Sequence, residues 1–184
     1  MKQKLEQLKE ACSECRSCGL GDTRQHVVFG EGNPDADIFI LGEAPGARED
    51  ETGRPFVGRA GEVLTELLAQ AGIKRDDVFI TGSCKCRPPK NRNPRRSELK
   101  ACLPIVEKQL ELIRPKVLIC LGLVAVQNIL DPKTRLADVR GRWFDGPGYK
   151  IYATYHPAAV LRGTVKADIL VEDFKRVKEA LTEN

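Results

Sequence analysis

The 184-residue sequence has no apolar run near the roughly 18 residues of a membrane-spanning helix, so no membrane partner is expected. It has little imbalance of charge. Its 30 Lys+Arg against 26 Asp+Glu leave a net +4, which excludes an acidic, self-repelling disordered chain. That balance permits a polyanionic partner without demanding one. Internal repeats and low-complexity tracts are missing. Histidine is scarce: imidazole chemistry is confined to His26 and His156. The opening segment MKQKLEQLKE is charged and helical in type and lacks the apolar core of a signal peptide, so a cytoplasmic location is expected.

What is present suits one globular domain over residues 1–184, with 41% apolar residues to fill a core. Seven cysteines in such a chain cannot all pair. In a reducing compartment, cysteines in this number are metal or cluster ligands more often than disulfides, though free cysteine is also a common small core residue. Cys15-Arg-Ser-Cys18 is a two-ligand clip. Cys86 lies in an irregular loop and Cys102 early in the helix that follows. Zinc and an iron–sulfur cluster both accept four thiolates, so spacing leaves both open. Cys12 forms a second C-x-x-C with Cys15. Cys84 and Cys120 read as bystanders, Cys120 within a buried strand.

Helices are expected over residues 1–11, 59–71, from Ser97 to about Ile113, 124–130 and about 166–181. Strands are expected at 37–41, 78–81, 116–121 and 149–155. The alternation argues for a parallel sheet covered on both faces, and the continuously apolar strands fit burial on both sides. In such a sheet ligands bind beyond the carboxyl ends of the strands. The loops 42–58, 82–96 and 156–163 are therefore where chemistry is expected.

The first of these carries Gly42-Glu-Ala-Pro-Gly46 and then Gly53-Arg-Pro-Phe56-Val-Gly58. Glycines there let backbone approach a planar ligand, with Glu43 at the strand end and Phe56 as an aromatic face. Glu49 and Asp50 read as a solvated acidic run. His156 follows the last strand, at the same sheet edge as Glu43. Residues 85–96 hold six basic side chains and no acidic one, an excess that suits phosphate contacts.

These motifs, GEAPG-x-x-ED, GRPFVGRAG, KCRPP-x-NR-x-P and HPAAVLR in this order, resemble the iron–sulfur uracil-DNA glycosylases, family 4 of that superfamily, of bacteria and archaea. The resemblance runs from about Cys15 to Arg162. It implies a three-layer α/β/α fold with a central four-stranded parallel sheet. It also implies a [4Fe-4S] cluster on Cys15, Cys18, Cys86 and Cys102, and action on uracil-containing DNA, single- or double-stranded; with one DNA-facing edge, a monomer is expected. By the same resemblance Glu43 and His156 are catalytic. Gly42, Glu43, Ala44, Phe56, Gly82, Ser83 and His156 surround the flipped base. Lys85, Arg87, Arg92, Leu161 and Arg162 meet DNA.

One position departs from the family pattern. Asparagine is usual after the Ile-Thr of the second strand, and here Gly82 stands there, followed by Ser83. An amide's paired donor and acceptor suit uracil. Its loss raises three alternatives: Ser83 or a water takes its place, base specificity widens to other deaminated bases, or the chain binds DNA with weak catalysis.

Overall fold

A computed structural model describes residues 1–183. The chain opens with helix α1 (Lys2–Cys12) and a short edge strand β1 (Glu31–Gly32), then enters the sheet through β2 (Ile38–Gly42). Helices α2 (Ala47–Thr52) and α3 (Arg59–Gln70) lead to β3 (Phe79–Gly82), and the long α4 (Arg96–Ile113) leads to β4 (Val117–Leu121). After α5 (Leu123–Ile129) and α6 (Leu136–Val139) come β5 (Trp143–Asp145) and β6 (Lys150–Thr154). The single turn α7 (Ala158–Leu161) and α8 (Ala167–Thr182) close the fold.

The fold is mixed α/β. The sheet has six strands, in the order β1-β3-β2-β4-β6-β5, where four parallel strands were expected. The interior pairs β3–β2, β2–β4 and β4–β6 are parallel, and β1 and β5 add antiparallel edges. The two edges were missed because Glu31–Gly32 and Trp143–Asp145 are two- and three-residue segments without an apolar run.

Side chains alternate across the pleat. Ile38 and Ile40 of β2 pack with Leu64 and Leu68 of α3 and Leu170 and Phe174 of α8. Phe39 and Leu41 face the other way, toward Val106 and Leu110 of α4 and Val126 of α5. Both faces of the inner strands are thus buried, which is why their sequences run apolar without alternation. Among the described residues no helix is long and apolar enough to cross a membrane.

The chain leaves β2 toward α3 on one face and leaves β4 toward α5 on the other. Between two adjacent parallel strands whose connections diverge in this way, a crevice opens at the carboxyl ends. Glu43, Gly122 and His156 stand there, just beyond β2, β4 and β6.

Candidate active site and thiol cavity

A cleft of about 360 Å³ lies at this crevice, and Glu43, Ala44, Phe56, Gly82, Asn91 and His156 are among the residues that line it. His156 is fixed by its neighbours. The Ala158 backbone N–H donates 3.0 Å to its Nδ1, so Nδ1 is the acceptor and Nε2 carries the proton of the neutral ring. Burial, reinforced by the Arg162 charge, pushes the His156 pKa down to about 4. At neutral pH the ring is therefore an uncharged N–H donor. The strand leading to it is braced by buried Asp173 of α8. That carboxylate accepts from Tyr152 Oη at 2.9 Å, Thr154 Oγ1 at 2.5 Å and Arg140 Nη2 at 2.9 Å. Gly122 admits the ring's approach: at φ +87°, its absent Cβ would fall 2.9 Å from His156 Cβ.

Phe56 lies against His156, with ring centroids 5.6 Å apart and planes 27° from parallel. It holds a left-handed backbone, φ 49°, unusual for an aromatic residue. Several groups impose that conformation. Arg75 donates to the Phe56 carbonyl at 2.8 Å and the Pro55 carbonyl at 2.6 Å. Glu49 accepts from the backbone N–H groups of Gly46, Val57 and Gly58, at 3.1, 2.9 and 2.6 Å, and so ties both ends of the loop together. Gly61 passes so close that a Cβ there would sit 1.9 Å from the Phe56 carbonyl oxygen. Glu49 is therefore an organising carboxylate, not part of a solvated run. Asp50 is buried as well, and its Oδ1 accepts from the Gln25 N–H at 2.8 Å.

Glu43 is half-buried in the cleft. Burial raises its pKa above the usual carboxylate range, and Arg162 opposes that shift. Gly82 is part of the cleft wall, but Ser83 is turned away: it is fully buried and its hydroxyl donates to the Gly42 carbonyl at 2.7 Å. The expectation that Ser83 meets the base does not hold, because the Gly42 carbonyl holds its side chain inside the protein. Sequence reasoning missed Asn91. Its Oδ1 accepts from Arg87 Nε at 2.7 Å, leaving the amide N–H₂ for the cleft. It lies within the KCRPP-x-NR-x-P motif, which was the available signal.

Two of the expected DNA contacts are likewise corrected. Lys85 is 1% exposed, the most buried charge in its loop. Its ammonium donates to Thr81 Oγ1 and to Gln109 Oε1, the latter at 2.7 Å, and desolvation lowers its pKa to about 8. Arg92 forks onto Glu98 at 2.7 and 3.0 Å, so its charge is already neutralised. Arg87 is half-buried beside Asn91, whereas Lys90, Arg95, Arg96 and Arg162 are exposed. Leu161, at 42% exposure, projects from the turn after His156.

A second cavity is lined by five thiols, those of Cys15, Cys18, Cys84, Cys86 and Cys102. Cys12, the last residue of α1, is packed in the core and does not line it. Cys84, expected to be a bystander, belongs to it. The Lys85 backbone N–H makes a 3.3 Å contact to the Cys102 sulfur. Arg24 donates to the Cys15 carbonyl at 2.7 Å and approaches Cys86 Sγ at 3.8 Å. Among the described residues, no three His, Cys, Asp or Glu side chains converge closely enough to hold one metal ion. The thiols instead surround a space between the N-terminal segment, the loop after β3 and α4.

Fold and cleft together are those of a parallel α/β sheet whose strand ends present a neutral imidazole donor, a carboxylate and an aromatic face. The Uracil DNA glycosylase superfamily model matches residues 29–182, and the chain belongs to that superfamily. Its similarity is to the type-4 members. It is 45% identical over 166 residues to the type-4 uracil-DNA glycosylase of Pyrobaculum aerophilum, covering 86% of this chain and 85% of that one. It is 43% identical over 178 residues to that of Thermotoga maritima, covering 95% and 93%. A type-5 uracil-DNA glycosylase of Pyrobaculum aerophilum is more distant, at 32% over 164 residues, covering 79% and 72%.

Proposed function

We propose that this protein hydrolyses the N-glycosidic bond of deoxyuridine in DNA, leaving an abasic site for base excision repair. The observation that carries this reading is the neutral His156, held as an Nε2–H donor beside Phe56 in the cleft. A base inside the helix stack cannot be reached, so the nucleotide must be extruded into the cleft. Leu161 fills the vacated gap, and Arg162 and Arg87 hold phosphates. Uracil stacks on Phe56. As the C1′–N1 bond breaks, negative charge grows on uracil O2 and positive charge on the sugar. His156 Nε2–H and the backbone N–H groups of Glu43 and Ala44 meet the first. Preorganised donors of this kind are worth about 3 kcal/mol each. The Glu43 carboxylate faces the second and orients the attacking water, which delivers hydroxide to C1′ and its proton to the departing base. Gly82 contributes backbone alone, and the Asn91 amide N–H₂ is left to donate to an acceptor in the cleft.

Cys15, Cys18, Cys86 and Cys102 fit a [4Fe-4S] cluster, because a cubane takes thiolates spread around it while a single zinc needs them converged on one point. Bound there, the cluster would supply a covalent tie between the N-terminal segment, the basic loop and α4. The reading includes one domain acting as a monomer in a bacterial or archaeal cytoplasm.

The test is a labelled oligonucleotide carrying uracil, hypoxanthine or xanthine, incubated with protein purified without oxygen and then with alkali. Strand cleavage at uracil is expected. An intact strand at uracil, with protein that binds the DNA, would refute glycosylase activity. Iron and acid-labile sulfide in equal amounts are expected in the same preparation.

A further inference from the structure

The cavity presents one more thiol than a cubane's four irons need. Cys84 and Cys86 stand two residues apart after β3 and both reach it, while Lys85 between them turns into the core toward Gln109. Cys84 is 1% exposed, so its sulfur has no solvent role. It shares the cavity with Cys102, the ligand contributed by α4, and the next residue's backbone N–H, that of Lys85, lies 3.3 Å from the Cys102 sulfur. The two remaining thiols do not line the cavity: Cys12 is packed in the core and Cys120 lies within β4. Nothing in the glycosylase chemistry uses Cys84.

We propose that Cys84 is a reserve ligand of the cluster site, placed to take over the iron held by Cys102. This rests on the reading that the cavity holds an iron–sulfur cluster. The exchange balances without an oxidant or reductant. An iron–sulfur bond to Cys102 breaks and one to Cys84 forms, and the Cys84 proton passes to the released Cys102 thiolate. Exchange within this pair keeps the loop after β3 attached, because Cys84 and Cys86 lie on that loop. The tie to α4 is the one given up.

Iron and acid-labile sulfide per chain, measured on anaerobically purified protein, decide the matter. Wild type is compared with Cys84→Ala, Cys102→Ala, the Cys84→Ala/Cys102→Ala pair and Cys15→Ala. Cys84→Ala and Cys102→Ala should each keep most of the wild-type iron, while the pair and Cys15→Ala should fall about tenfold or more. Cys102→Ala emptied as fully as the pair would overturn the proposal. So would Cys84→Ala emptied alone, since Cys84 would then be a primary ligand. Cys102→Ser covers the case in which the alanine variant does not fold. Its Fe–S stretching pattern in resonance Raman should stay that of all-thiolate ligation, and an oxygen-ligated pattern would refute exchange. A wild-type protein without iron or sulfide would instead refute the cluster reading itself.

Discussion

The Ala158 backbone N–H donates 3.0 Å to His156 Nδ1, and this one contact sets which face of the imidazole can act. With Nδ1 occupied, the proton sits on Nε2. With a pKa pushed down to about 4 by burial and by Arg162, the ring stays neutral through the physiological range.

His156→Ala should therefore lower kcat by about 100- to 1,000-fold, the usual effect of losing one transition-state donor. Single-turnover kinetics on a uracil oligonucleotide measure it, and KM should move little. Retention of kcat within a few-fold of wild type would remove His156 from the chemistry.

The same shift has a sign in stability. The folded-state pKa lies below the ordinary 6.5, so the unfolded chain binds more protons between the two values. The stabilisation from neutral His156 is complete above about pH 6.5 and is lost as pH falls toward 4. Denaturant melts across that window should show wild type losing stability relative to His156→Gln as the solution becomes acid. A pH-independent difference would contradict the assignment.

Phe56 is held in its left-handed conformation from several sides, so its supports are testable away from the chemistry. Gly61→Ala places a methyl 1.9 Å from the Phe56 carbonyl and must displace it. A shift of that kind at the residue proposed to stack on the base can cost about 100-fold in kcat/KM. Glu49→Ala leaves the N–H groups of Gly46, Val57 and Gly58 without their acceptor, and about 1–3 kcal/mol of stability should go with it. Thermal melts and kcat/KM separate the two effects.

Salt dependence distinguishes surface charge from buried charge. Arg162→Gln should reduce the slope of log affinity against log salt by about one, as loss of one phosphate contact does. Lys85→Met should leave that slope unchanged and lower the melting temperature, because its ammonium serves Thr81 and Gln109 inside the protein. An equal loss of slope in both variants would restore Lys85 to the DNA surface.

Much of this was legible in one dimension. Continuous apolar runs marked strands buried on both faces, and strand ends followed by glycine, carboxylate or histidine marked the cleft, because strand alternation and sheet topology turn sequence position into place. Glu43, Phe56 and His156 do meet there. Edge strands were not legible, since pairing along a sheet margin needs no apolar signal.

What the sequence by itself determined was the order of elements, the clip Cys15-x-x-Cys18 and the loops that carry function. Tertiary structure alone decided which member of a local group faces which way. Lys85 goes inward because Gln109 of α4 and the Phe29 carbonyl offer a buried polar network beneath β3. Arg92 is spent on Glu98 because α4 begins beside it. Cys84, which read as a bystander, faces the cavity, while Cys12 at the end of α1 is buried in the core. Direction of a side chain in an irregular loop is set by partners distant in the chain, and spacing does not encode them.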